Sequence, residues 1–246
     1  MIADHRPPST VHRLAWYRGP MSFTARLRWL GTATLVVTSF TPRINAAELS
    51  AAQLTQSLQL KYDSIKDFSA DFVHTYQGGV LHKQLTERGR VLIKKPGKMR
   101  WEYLAPEKKL FVSDGVKMYS YVPEDNQVIV SAVPEGDRAG APILFLAGKG
   151  NLTRDFTAEN TDVPEGFPAQ SRAVKLVPKA PQSDYDSLVL VVDPSLTLRG
   201  IVTLDAQGGR SAISFANLKE NVGTPDKVFT FSIPRGADVI TDATTR

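Results

Sequence analysis

From Phe68 onward the chain is a succession of short runs of β-branched and aromatic residues, separated by turn signals such as "SDG" at 113–115 and "PEDN" at 123–126. Spacings of about 8–12 residues between such turns favour an antiparallel meander over βαβ units. We predict about eleven strands, near 68–76, 86–95, 98–104, 109–113, 117–122, 127–133, 173–178, 187–193, 197–205, 210–218 and 228–232.

One long helix is predicted before the first strand. Ser50 followed by Gln53 forms a capping box, and the apolar residues after it recur at helical spacing: Leu54, Leu58, Tyr62 and Ile65. A second, short helix is predicted in "AGAPILFLAGKG" at 139–150, where Pro142 lies near the start and Gly148 at the end. Its centre is apolar all round, which suits a helix covered on more than one side: Ile143, Leu144, Phe145 and Leu146.

Residues 1–46 are interpreted as a leader. From Met21 the sequence has a basic start, an apolar run from Trp29 to about Phe40, and small residues in "INAAE". This is the plan of a secretory signal peptide, cleaved after Ala46 or Ala47. Its apolar run of about 12 residues is shorter than the ~20 that cross a membrane. The alternative is a short buried N-terminal helix, and residues 1–20 are interpreted as an upstream extension of the start site.

The positive charge of the chain comes from this leader. Residues 1–47 contain six arginines and one acidic residue, so the chain totals of 30 basic and 25 acidic residues leave 24 of each in 48–246. A neutral body does not favour nucleic acid as a partner. Because the leader directs export and the rest of the sequence has no internal repeat or low-complexity linker, we expect one domain, 47–246, acting outside the cytoplasm. With no cysteine, it carries no lipidation site, and a domain of this size is stable without disulfides.

The sequence contains no strong catalytic motif. After the leader only His74 and His82 remain, and HExxH, GxSxG and P-loop patterns are absent. The two histidines could form half a metal site or supply a general base, but partly exposed strand histidines are the simpler interpretation. The acidic pairs Glu135/Asp137 and Asp184/Asp186 lie in polar loops. We expect no enzyme activity, no metal and no cofactor.

An apolar sheet face is the feature that remains. With a period of two, Met99, Trp101 and Tyr103 share one face, and large side chains also recur in two other rows: Val91 and Ile93, and Tyr119 and Tyr121. Curved sheets with apolar interiors hold hydrophobic ligands. Periodicity does not distinguish such a cavity from an ordinary filled core, so both interpretations stay open at this point.

The segment "KKPGKMRWEYLAPEKKLFVSDGVKMYSYVPEDNQVIV" at 94–130 resembles the signature region of the LolA family, the outer-membrane lipoprotein carrier proteins of Gram-negative bacteria. Further matches are "FSADF" after the first helix, "APILFLAG" as a lid helix, and "FTFSIPRGADVI" near the end. The resemblance runs from about Leu49 to Ile240.

The resemblance implies a mainly β, α+β fold: an incomplete β-barrel of about eleven antiparallel strands, covered by the N-terminal helix and a short lid helix. It implies a soluble, periplasmic carrier that takes acylated lipoproteins from an inner-membrane ABC transporter to an outer-membrane receptor, most simply as a monomer. By this resemblance Met99 and Trp101 take cavity-lining positions, and the large side chains of the neighbouring rows complete the predicted lipid cavity: Val91, Ile93, Met99, Trp101, Tyr103, Tyr119 and Tyr121. The predicted lid consists of Pro142, Ile143, Leu144 and Leu146.

Lys95 takes a position that is commonly arginine in the family, where it hydrogen-bonds lid carbonyls and holds the empty form closed. The resemblance therefore implies that Lys95 is a lid latch, although lysine lacks the planar fork of arginine. The alternative is a lysine that snorkels from the strand end into water. Two other functions also stay open: a lipid-binding sensor on the same fold, and an envelope scaffold with a filled core.

Overall fold

The computed structural model describes residues 49–78, 84–133, 145–148, 150–182, 185–205 and 207–241. All of them belong to one compact unit, 47–246. Helix α1 spans Ala51–Ser64. The Ser50 side chain accepts a hydrogen bond from the Gln53 backbone, and the Gln53 side chain accepts one from the Ser50 backbone, so the predicted capping box is confirmed. A one-turn helix, α2, spans Leu152–Asp155.

Within the described residues a single twelve-stranded open sheet forms the body, in the order β12-β6-β5-β4-β3-β2-β1-β11-β10-β9-β8-β7. Its two edge strands do not pair with each other, so the predicted incomplete barrel is confirmed. The strands are β1 Asp67–Gln77, β2 Gln84–Lys94, β3 Lys98–Ala105, β4 Lys109–Asp114, β5 Lys117–Val122, β6 Gln127–Ala132, β7 Phe156–Asn160, β8 Arg172–Pro178, β9 Ser187–Val192, β10 Leu198–Leu204, β11 Arg210–Glu220 and β12 Asp238–Thr241.

The prediction of a strand at 228–232 is wrong. Residues Asp226–Phe229 form a 3₁₀ helix instead, and Phe229 is the residue that it buries. The apolar composition of "VFTFS" therefore reflects two aromatic residues that pack on the sheet, Phe229 and Phe231, and not a paired strand. The sequence pattern does not predict strands β7 and β12. Both are short edge strands, and β12 is exposed at every residue, so it carries no burial alternation. It pairs with β6 in parallel, whereas all other pairs are antiparallel.

The sheet has two covered faces. The inner face carries the main core, which joins β1–β3 and β8–β11 to the apolar side of α1 and to residues 145–147. On the outer face, the C-terminal segment 221–231 packs its 3₁₀ helix against β3 and β4. The buried carboxylate of Asp67 holds this segment by accepting hydrogen bonds from the backbone N–H groups of Val222 and Thr224. The carboxylate of Asp226 pairs with Lys94 at 2.7 Å and with Lys98 at 2.9 Å.

Gly89 is required at a crowded point of the inner face. A Cβ atom at this position would collide with the carbonyl oxygen of Glu102 and would lie 2.9 Å from Cε1 of Phe72. The Phe72 ring therefore lies over the glycine and meets the edges of Trp101 and Tyr103, with centroid separations of 5.0 and 4.9 Å.

We expect Gly89→Ala to lower the free energy of unfolding by about 1–3 kcal/mol, because the added methyl group overpacks the sheet and displaces the Phe72 ring. Gly150→Ala is the control, since a Cβ there meets its nearest atom at 3.6 Å. Urea denaturation of the two variants and the parent measures the difference. Equal unfolding midpoints for the two variants would show that the Phe72 ring and the β3 backbone yield easily.

Candidate functional site

Four of the predicted cavity residues lie together on the inner face. In the β2–β3 pairing Val91 is opposite Trp101, and Ile93 is opposite Met99. All four side chains are buried. Tyr103 continues the same row opposite Gly89 and is partly buried. The sheet register thus shows the shared face that strand alternation predicts, while the role of this face in lipid binding stays a prediction.

Tyr119 and Tyr121 lie on the other side of the sheet, which corrects their assignment to the cavity. Trp101 is opposite Phe111, and Phe111 is opposite Ser120, so Ser120 is the β5 residue that shares the inner face. The two tyrosines flank it and point outward. They pack against Phe231 of the C-terminal segment, with centroid separations of 5.3 and 5.9 Å.

Residues 145–148 close one end of the inner face; we call them the closing segment. Phe145, Leu146 and Ala147 are buried against the main core. Gly148 ends the segment with φ at +85°, in the left-handed region that glycine adopts without strain. Leu146 is the one predicted lid residue within the described part of the chain. Pro142, Ile143 and Leu144 lie outside the described residues.

Tyr62 in the last turn of α1 connects the helix to the closing segment. Its ring stacks on Phe145 with a centroid separation of 4.4 Å. Its hydroxyl donates to the carbonyl oxygen of Phe145 and accepts from the backbone N–H of Gly148 at 2.9 Å. Burial raises the pKa of this hydroxyl, so the group stays protonated and keeps both roles. The sequence placed Tyr62 on the apolar face of the helix but gave no sign of these hydrogen bonds.

Lys95 holds the helix and not the described part of the lid. Its ammonium group donates to the carbonyl oxygen of Tyr62 and lies 3.1 Å from the centroid of the Tyr62 ring. Its aliphatic stem lies against Gly148, where a Cβ atom would be 3.1 Å from Cγ of Lys95. Lys95 therefore contacts the closing segment in two ways, indirectly through Tyr62 and directly through its stem at Gly148. We call Lys95, Tyr62, Phe145 and Gly148 the clasp.

An apolar pocket lies beneath the clasp, between the last turns of α1 and the sheet. It has a volume of about 50 Å³, and its lining includes Leu58, Phe68, Leu146, Leu190 and Leu198. An ion pair between Lys61 and Glu220 lies at the same pocket, with an N–O distance of 2.5 Å. This volume holds one or two waters at most and is far below the about 300 Å³ of the smallest typical ligand pockets. An acyl chain can enter only if α1 or the closing segment moves.

A polar cluster lies on the inner face at the far end of β1 and β2. His74 Nδ1 is 3.1 Å from Glu87, and His74 Nε2 is 2.9 Å from the hydroxyl of Ser211. The order Ser, His, Glu resembles a hydrolase triad. However, Lys109 shares the Glu87 carboxylate at 2.9 Å, and Ser211 lies within β11 between two paired strands. Its surrounding N–H groups are therefore engaged in a β-ladder rather than free to form an oxyanion hole.

Two other features of the described residues bear on function. None of their helices is long and apolar enough to span a membrane. They also contain no group of three or more His, Cys, Asp or Glu side chains placed to hold a metal ion. The fold and the site together define a class of protein. Its members have an open, curved sheet whose apolar inner face is covered by a helix and a short closing segment.

The chain belongs to the family of the outer membrane lipoprotein carrier protein LolA, whose model matches residues 63–232. It is 34% identical over 181 residues to an outer-membrane lipoprotein carrier protein of Chromohalobacter salexigens, covering 72% of this chain and 82% of that one. It is 31% identical over 196 residues to the protein of the same name in Methylococcus capsulatus, covering 78% and 91%. A LolA superfamily structure from Nitrosomonas europaea aligns with 75% of this chain and 99% of its own, at 18% identity and a TM-score of 0.40.

We expect Tyr62→Phe to loosen the closing segment while leaving the ring stack in place, because it removes only the hydroxyl that bridges Phe145 and Gly148. The loss of this buried hydroxyl should increase the opening equilibrium by about tenfold. Amide hydrogen exchange at residues 145–148 measures it. Tyr121→Phe, on the outer face, is the matched control. Unchanged exchange in Tyr62→Phe would show that the ring stack alone closes the segment.

Lys95 should give the clasp a pH dependence. Burial lowers the pKa of Lys95 to about 8 from an ordinary value of 10.5, and the nearby Asp63 carboxylate opposes the shift. The folded protein thus binds this proton less tightly than the unfolded chain. Below pH 8 the ionised amine opposes folding, and this cost disappears as the pH rises from about 8 to 10.5.

The stability of the parent relative to Lys95→Arg should therefore increase between pH 8 and 10.5, since arginine does not titrate in this range. Thermal unfolding of both proteins across this pH range provides the comparison. The contributions of all other titrating groups are the same in the two proteins and cancel in the difference. A stability difference that stays constant with pH would mean that Lys95 titrates as a solvated lysine.

Proposed function

We propose that this protein carries lipoproteins across the periplasm and shields their acyl chains in the apolar inner face of the sheet. It would receive cargo from an inner-membrane ABC transporter and deliver it to an outer-membrane receptor, acting as a soluble monomer after its leader is removed. Family membership supports the carrier role. The structural observation that carries the proposal is an apolar inner face covered by a short segment, which is linked to α1 by one ring stack and a few hydrogen bonds.

The energetics of the cargo require such a cover. Each methylene of an acyl chain that leaves water is stabilised by about 0.8 kcal/mol, so a lipoprotein with several chains cannot cross an aqueous compartment uncovered. A carrier that gained all of this free energy could not release its cargo. Closure of the clasp in the empty form offsets part of it, because cargo must break the clasp to enter.

Lys95 tests this mechanism. Because it holds the empty form closed through Tyr62, its removal should shift the population towards the open form and strengthen cargo retention. A hydrogen bond from a charged donor contributes about 1.5–3 kcal/mol. The cost of burying the ammonium group, which lowers the pKa of Lys95, offsets part of this, so we expect a change of roughly tenfold in the closed-to-open ratio. Lys95→Leu should thus load a triacylated lipoprotein and transfer it poorly, whereas Lys95→Arg should transfer it at least as well as the parent.

Loading can be followed by native mass spectrometry of the carrier, and transfer by the appearance of cargo on the receptor. Equal transfer by the parent, Lys95→Leu and Lys95→Arg would reject the latch in favour of a solvated lysine. Absence of any bound acylated peptide from carrier purified from cells would reject the carrier function itself. That result would instead favour an envelope scaffold with a filled core.

A further inference from the structure

The indole N–H of Trp101 is an unsatisfied donor in the middle of the inner face. The Trp101 side chain is 2% exposed. Within the described residues, its Nε1 is the one buried side-chain nitrogen or oxygen that has no hydrogen-bond partner. Buried polar groups are almost always paired, because an unmade hydrogen bond in an apolar interior is costly. This N–H group is therefore available to an acceptor that a ligand supplies.

Tyr103 presents a second donor two residues along the same face. Its ring and that of Trp101 both meet the edge of Phe72, with centroid separations of 4.9 and 5.0 Å. No described residue forms a hydrogen bond with the Tyr103 hydroxyl. Burial raises its pKa to about 12, and the charge of Glu87 contributes in the same direction. The hydroxyl is therefore neutral at physiological pH and can donate.

The surroundings of the two donors select the chemistry of the acceptor. The Glu87 carboxylate raises the pKa of Tyr103 and is itself paired with Lys109 at 2.9 Å, so neither of these charges is free to bind an anionic ligand. A free fatty carboxylate is thus disfavoured. The neighbouring side chains, Val91 and Met99, are apolar and buried. The acceptor that fits is an uncharged oxygen on an otherwise apolar molecule, which describes the carbonyl at the root of an esterified or amide-linked acyl chain.

We propose that Trp101 and Tyr103 donate hydrogen bonds to the ester or amide carbonyls at the head of the bound acyl chains. This inference rests on the proposed carrier function and adds a polar anchor to the apolar interior. The anchor fixes how deeply a chain is seated, because apolar contact alone permits a chain to slide along the sheet. It also distinguishes acylated molecules from hydrocarbons and ethers of the same length.

A matched pair of ligands tests the anchor. One is a lipopeptide with two ester-linked chains on its glyceryl group, and the other is the dialkyl ether analogue with chains of equal length. We expect the parent protein to bind the ester about tenfold more tightly, a value typical of a buried donor gaining its partner. Affinities are measured by titration, and the indole N–H signal that disappears in Trp101→Phe should shift on binding the ester alone.

The variants remove the donors and keep the rings. Trp101 is replaced by 3-benzothienylalanine, in which sulfur takes the place of the N–H, and this replacement is combined with Tyr103→Phe. The ratio of the affinities for ester and ether should fall to about one in the double variant. It should be intermediate in Tyr103→Phe alone. The control Tyr121→Phe, on the outer face, should keep the parent's preference. Far-UV circular dichroism and thermal unfolding verify that each variant is folded.

The outcomes separate the anchor from the carrier function. Equal binding of ester and ether by the parent overturns the anchor and leaves the carrier function intact. A preference that survives in the double variant also overturns it, because the carbonyls must then bind elsewhere. If the parent binds neither ligand, the carrier function itself fails. Should the indole signal stay unshifted when the ester binds, a buried water rather than the ligand satisfies Trp101.

Discussion

The structure depends on covering one apolar sheet face. The inner sides of β1–β3 and β8–β11 bury large aliphatic and aromatic residues, including Phe72, Trp101 and Phe215. An open sheet of this kind cannot leave such a face in water. Helix α1 and the closing segment cover it, and the C-terminal segment covers part of the opposite face. The two faces are therefore covered by different parts of the chain, the inner face by α1 and the closing segment and the outer face by the C-terminal segment.

The cover of the inner face combines strong and weak contacts. The apolar side of α1 packs into the main core, but the link from α1 to the closing segment consists of the Tyr62 stack, its two hydrogen bonds and the contacts of Lys95. The lowered pKa of Lys95 shows that its charge is costly to bury there. The pocket beneath is too small for an acyl chain. A packed interior closed by these few contacts agrees with the proposed carrier function, in which the closing segment opens for cargo and closes after its release.

Much of this was predictable from the sequence, and the exceptions have physical reasons. The capping box at Ser50 fixed the start of α1, and strand alternation grouped Met99 with Trp101. Alternation within a strand does not say which face is inner, however, so Tyr119 and Tyr121 were assigned to the wrong side. The register through β4 decides that question. The role of Tyr62 depends on a contact with a segment more than 80 positions away, and no local pattern signals it.

The most direct measurement of the central claim is amide hydrogen exchange of the whole chain with and without a bound triacylated peptide. If the apolar inner face is the binding site and the clasp must open for lipid to enter, the amides of residues 145–148 and of the last turn of α1 should lose protection from exchange when lipid binds. Strands β2 and β3 should keep or gain protection at the same time. Bound lipid with unchanged exchange in the clasp would contradict the claim, because it would show that acyl chains bind without opening the inner face.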